Sequence, residues 1–244
     1  MTRRVRAGLM AFLLAGIGAA LDAQQRPSTA GVAWETLARL PLPEDSDPVI
    51  AVSQFRLNAA SPNPAPIGAG HRHQGPVIGY IVQGEIETEI EPTPPAFYKP
   101  GEFFSEPAGH LHRFMRNART TEPAALITFS AGARGQPVPF INLLLEERLA
   151  STKSQEVSLS RLSLPPGARS DAHSHSGPGL VYVLEGTVET VGTAGPPSTY
   201  SAGATVLDPA AAAGLIFKNS SGSDAAKILL YHVSTVGTPP QSRR

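Results

Sequence analysis

Seven histidines mark this 244-residue sequence: His71, His73, His110, His112, His173, His175 and His232. Two pairs stand in matching surroundings, Gly70-His71-Arg72-His73-Gln74-Gly75-Pro76 and Ala172-His173-Ser174-His175-Ser176-Gly177-Pro178. On an extended strand, side chains two residues apart leave the same face, so each pair can aim two imidazole nitrogens at one point. That chemistry suits a divalent metal, with Fe, Mn, Ni, Cu and Zn all acceptable to imidazole. The chain has no cysteine. Thiolate sites, thiol nucleophiles and disulfides are therefore excluded, and a metal must be held by His and carboxylate.

Donors of this kind need a frame, and the sequence repeats one. The histidine pairs lie 102 residues apart, His71 to His173. The same ungapped offset matches Gly84 with Gly186, Pro94-Pro95 with Pro196-Pro197, Tyr98 with Tyr200 and Gly101 with Gly203. It continues through Pro107 and Pro209, Asn117 and Asn219, and Phe129 and Tyr231. An internal duplication is the simplest reading. Each copy is strand-like. Val77 to Val82 is a buried-type apolar run, and Glu85 to Glu91 alternates polar and apolar with period two. Leu111 to Arg116 and Ala124 to Phe129 supply two more short strands. The second copy repeats them over Leu180–Glu185, Thr187–Val191, Leu215–Lys218 and Ile228–Val233. Short strands punctuated by Gly and Pro predict an all-β fold of two tandem jelly-roll barrels. The best helical candidate is Ile141 to Leu149, at the junction. The expected divisions are a leader over 1–23, an N-terminal arm over 24–48, barrels over 49–149 and 150–236, and a tail over 237–244.

The first copy resembles the cupin superfamily in its two motif segments. The histidine pair stands for the first, with its leading glycine displaced to Gly68 or Gly70. The second runs Gly101, five residues, Pro107-Ala108-Gly109, two residues, His112, with Asn117 one place late. The resemblance covers about residues 50–235. It implies a divalent metal at the mouth of the first barrel on His71, His73 and His112. The family pattern also has a glutamate ligand where this chain has Val77. The resemblance therefore implies a three-histidine site with positions open to substrate or oxygen, similar to those of iron-dependent dioxygenases. One metal per chain is expected, Fe first, with Mn, Ni, Zn and Cu as alternatives. The second copy keeps His173 and His175 but has Gly179 at the glutamate position and Gly214 where the first copy has His112. It reads as a degenerate site kept for packing, with recruitment of His232 from the last strand as the alternative.

Other residues near the motifs invite roles. His110 is the candidate catalytic or entrance residue, with a surface loop histidine as the alternative. Tyr80, Phe104, Glu106, Phe114 and Arg116 are expected to line the substrate pocket. Phe114 and Arg116 are placed there by sharing parity with His112, and Glu106 by preceding Pro107, where it could bond a ligating His.

Composition narrows the partners. Lys+Arg and Asp+Glu balance at 20 each, so no basic field exists for nucleic acid. Arg3, Arg4 and Arg6 precede an uncharged apolar run from Leu9 to Leu21, too short to span a bilayer, with small residues at Ala19-Ala20 and Ala23. This reads as a signal peptide and predicts a periplasmic or secreted protein with no membrane role after cleavage. The expected activity is a metal-dependent reaction on a small organic molecule, most of all a non-haem Fe(II) dioxygenase type. The alternatives are an isomerase or lyase acting on a sugar acid, and a non-catalytic small-molecule binder. A homodimer is compatible with all three.

Overall fold

Both strand signals in the sequence, the alternating runs and the continuous apolar ones, become strands, and no helix forms among the described residues. The computed structural model describes residues 29–44, 48–59, 70–133, 141–192, 196–210, 215–238 and 242–243. The leader over 1–23 lies outside them.

The first barrel is built from β2 (Pro48–Leu57), β3 (His71–Arg72), β4 (Val77–Gln83), β5 (Ile86–Ile90), β6 (Ala96–Tyr98), β7 (Phe103–Glu106), β8 (Leu111–Asn117), β9 (Ala124–Ala133) and β10 (Ile141–Arg148), preceded in the chain by β1 (Ala33–Pro41). The second contains β11 (Gln155–Leu164), β12 (His173–Ser174), β13 (Gly179–Glu185), β14 (Thr187–Val191), β15 (Ser198–Ser201), β16 (Thr205–Asp208), β17 (Ile216–Lys218), β18 (Ala226–Thr235) and β19 (Ser242–Arg243). In each barrel a five-stranded sheet, β10-β2-β9-β4-β7 or β1-β11-β18-β13-β16, faces a smaller one, β3-β8-β5-β6 or β15-β14-β17.

The two large sheets pack on each other through their outer faces. Ile50, Val52, Ile78, Tyr80, Ile127 and Phe129 meet Leu159, Leu180, Tyr182, Leu229 and Tyr231 in one buried cluster. Phe129 and Tyr231, equivalent in the repeat, lie against each other at 5.3 Å between ring centroids. Equivalent residues meet in this way where two copies are related by an approximate two-fold. This core explains why β4 and β13 read as unbroken apolar runs: both faces are covered. Ile78 and Tyr80 point to the other barrel, while Ile81 joins Ile86, Phe104, Met115 and Leu126 inside its own. The turn after β4 ends on Gly84 at φ 71°, repeated by Gly186 at 72°, a conformation that glycine adopts without strain.

Three expectations change. Residues 141–148 form an edge strand on β2, not a helix; a register shift between Leu143 and Leu145 breaks the period of two. Leu144 and Leu145 then both pack, partly buried, on the inter-barrel core, and adjacent inward leucines imitate helical spacing. Much of the supposed N-terminal arm is β1, paired with β11 in the second barrel's sheet, with Leu37 and Leu40 on the shared core. The tail contributes β19, which pairs with β12.

Candidate metal centre

Strand pairing joins the two motif segments. β3 is antiparallel to β8 with His71 directly opposite His112, and residues so placed share a face. The Pro107–Gly109 turn is tied to the first segment by Gly109 N–H donating to the His73 carbonyl at 2.9 Å and by Arg72 donating to the Gly109 carbonyl at 2.5 Å. The ring centroids of His71 lie 4.7 Å from His73 and 5.0 Å from His112. Their donor atoms lie within 4.8 Å of one another.

The trio grades from surface to interior: His71 is exposed, His73 partly buried and His112 buried. The metal-facing side is thus open toward His71. His112 Nε2 lies 2.9 Å from the Phe114 carbonyl and 2.8 Å from Thr88 Oγ1. With Nε2–H committed to these oxygens, Nδ1 keeps a lone pair, and ligating histidines are commonly fixed by such a partner on the other nitrogen. Nδ1 is buried without a hydrogen bond. His71 Nε2 and His73 Nε2 stand 3.0 Å apart, about the spacing of two nitrogens each bound at about 2 Å to a shared ion. The residues fit a metal.

Glu106 completes the site. It is 4% exposed, with Oε2 3.0 Å from His112 Nδ1 and 3.2 Å from His73 Nε2, although Oε2 and His112 Nδ1 are not aligned as a hydrogen-bonded pair. Burial pushes its carboxyl up, but the imidazoles of His112 and His73 more than offset this and hold it down to about 2. Glu106 sits across the ladder from Val77. The carboxylate missing from β4 is therefore supplied by the neighbouring strand.

The other expected pocket residues divide. Phe104 lies inside the barrel, its ring filling the space above Gly79. Tyr80 does not line the pocket: it faces the inter-barrel core, with its hydroxyl accepting from Arg161 at 3.2 Å. Phe114 and Arg116 also face away from His112. β8 pairs His112 with Ile90 but Phe114 with Glu89, so Arg113 is an extra residue that reverses parity. Met115 and Asn117 turn inward and are buried. Arg116 pairs outside with Glu87 at 2.6 Å. His110 is exposed, and its Nδ1–H donates to the Glu91 carbonyl at 2.8 Å. It is no part of the cluster, and the surface-loop alternative describes it.

The second barrel departs from expectation most. His173 and His175 are joined by Asp208 and His232, all four buried and with donor atoms within 4.8 Å. Burial pushes the Asp208 carboxyl up, but His173, His175 and His232 hold it well below the usual carboxylate range. Burial lowers His232 to about 4. Gly214 and the alanines from Ala211 lie outside the described residues. Sequence reasoning missed Asp208, whose signal was its repeat equivalence to Glu106. His232 stood in the sequence only as the alternative ligand, because its counterpart in the first copy is Ser130.

Comparison with known proteins gives the family and the fold. The cupin domain family matches residues 63–130 and again 160–230. No curated protein matches in sequence. Among solved structures, a salicylate 1,2-dioxygenase from Pseudaminobacter salicylatoxidans superposes with a TM-score of 0.54 at 12% identity, over 75% of this chain and 70% of that one. Oxalate decarboxylase from Bacillus subtilis, described with Mn(II) centres, gives 0.53 at 14% identity over 88% and 78%. AerE from Microcystis aeruginosa gives 0.51 at 15% over 81% and 97%.

Proposed function

The chain belongs to the cupin family, and from that premise we propose that it is a metal-dependent enzyme whose chemistry takes place at the open mouth of the first barrel. The substrate is a small organic molecule, and the favoured reaction is of the non-haem Fe(II) dioxygenase type. The carrying observation is the one-sided trio: three imidazoles converge, and His71 leaves one side exposed. The likeness to a dioxygenase and a decarboxylase is one of fold and is consistent with either chemistry.

An ion held there would supply Lewis acidity toward substrate oxygens and, in the case of iron, a centre for oxygen chemistry. The chain's own groups do the rest. Thr88 and the Phe114 carbonyl hold the His112 ring in one orientation. Glu106, ionised and buried, faces the metal-binding nitrogens of His73 and His112 and would offset part of the ion's charge. Phe104 and Ile81 close the barrel behind them and keep water from the inner side. The apolar leader over 1–23 supports a periplasmic or secreted location.

Glu106→Gln keeps the shape and removes the charge. It is expected to weaken metal binding at this site at least about 10–100-fold, the cost of losing even an outer partner, with far-UV circular dichroism unchanged. Competition against a chelating dye measures it.

The activity itself is tested by oxygen uptake from Fe(II)-reconstituted protein across phenolic acids, diketones and thiols. Val77→Glu sharpens the test. A carboxylate there sits opposite Glu106 and fills an open position, so metal should be held as well or better while uptake falls severely. Uptake unchanged in a metal-loaded Val77→Glu variant argues against open coordination. Saturable substrate binding with no turnover on any metal favours the non-catalytic alternative.

A further inference from the structure

We propose that the second barrel carries its own metal centre, closed and four-coordinate, with His173, His175, Asp208 and His232 as the complete ligand set. It does not depend on the activity proposed for the first barrel.

Geometry carries the proposal. The Nε2 atoms of His175, His173 and His232 lie 2.9, 3.3 and 3.5 Å from one oxygen, Asp208 Oδ2. His175 Nδ1–H donates to the Gly177 carbonyl, which leaves its Nε2 as a lone pair facing a carboxylate. Two acceptors at 2.9 Å need a cation between them. A proton on His175 and an Nε2–H on a neutral His173 would serve two of these three pairs. They would leave His232 Nε2, 3.5 Å from the same oxygen, buried without a partner, and buried polar atoms are rarely left so. A metal ion engages Asp208 and all three imidazoles at once.

The backbone is shaped for this set. Gly179 pairs with Asp208 on one side and with His232 on the other, so the three residues form one row across β16, β13 and β18. A Cβ on Gly179 would lie 2.3 Å from His232 Cδ2 and 2.9 Å from its Nε2. The glycine therefore makes room for the imidazole. The equivalent row in the first barrel is Glu106, Val77 and Ser130. Where the first barrel has serine on one flank and valine in the middle, the second has histidine and glycine, and the glycine is what accommodates the imidazole.

Enclosure separates this centre from the first. Its four residues are between 0% and 7% exposed. Phe217 stacks on His173 and Trp34 of β1 meets its edge, each at 5.4 Å, while β19 pairs along the His173 strand. Three nitrogens and one oxygen, all on side chains buried among the described residues, form a structural site for an ion that accepts tetrahedral coordination, as Zn(II) does. The role is to pin β12, β16 and β18 together.

The test loads the full chain with Zn(II) and counts bound metal after gel filtration. Wild type should hold two equivalents, and His112→Ala should hold one. Asp208→Asn should also hold one, the equivalent that His112 governs. Co(II) in the His112→Ala protein should give the intense visible absorption of a four-coordinate ion, and chelation should lower its Tm. Should Asp208→Asn fail to fold, His232→Ser, which restores the residue of the first barrel, is counted instead. A His112→Ala protein that takes up no Zn(II) overturns the proposal. So does an Asp208→Asn or His232→Ser protein whose stoichiometry matches wild type.

Discussion

Replacing His112 by alanine is expected to strip the metal from the open site and reduce oxygen uptake more than about a hundredfold, beyond what losing an outer partner costs. His112 is the buried ligand of the trio, and its ring touches Thr88, Phe114 and Glu106. The fold should persist. The barrel interior of Ile81, Ile86, Ile90, Met115 and Leu126 is untouched, and the metal is not its only source of stability, unlike in a zinc finger. The variant does leave Glu106 buried with one imidazole fewer, so a loss of about 1–3 kcal/mol is expected. Metal analysis, oxygen uptake and a urea melt on one preparation check all three. Full uptake in a folded His112→Ala protein places the chemistry elsewhere.

Phe129→Ala should be the most damaging change away from the sites, at about 3–5 kcal/mol. Phe129 is fully buried and meets Tyr231 across the barrel interface, so truncation opens a cavity between two sheets that cannot easily collapse. Both barrels should lose stability together, since β4, β9, β13 and β18 share that core. Chemical denaturation followed by tyrosine and tryptophan fluorescence reads it. A loss below about 1 kcal/mol would mean that the barrels are held independently.

The sequence carried the repeat, the all-β class and the His71–His73 pair because these depend on spacing, and His112 joined them through the resemblance to the second cupin motif. What it could not carry depends on which neighbour covers each face. Tyr80 lies on a strand buried on both sides, so parity does not say whether it faces the pocket or the other barrel. Phe114 and Arg116 were misplaced by the single extra residue at Arg113, which leaves no mark in composition. Ile141–Leu149 looked helical because a bulge sets two leucines side by side. The second barrel looked degenerate because a ligand was sought at Gly214, the position equivalent to His112. Its fourth donor comes instead from β18, and only strand pairing shows that Gly179, Asp208 and His232 share one row.

The central claim is that the open trio at the first barrel mouth holds the working metal. Anomalous diffraction at the iron edge, from crystals of protein reconstituted with Fe(II) under anaerobic conditions, tests it most directly. The account predicts a peak bonded to His71, His73 and His112, with solvent or substrate on the His71 side. An iron-loaded, oxygen-consuming protein whose anomalous peak lies away from these three histidines would contradict it.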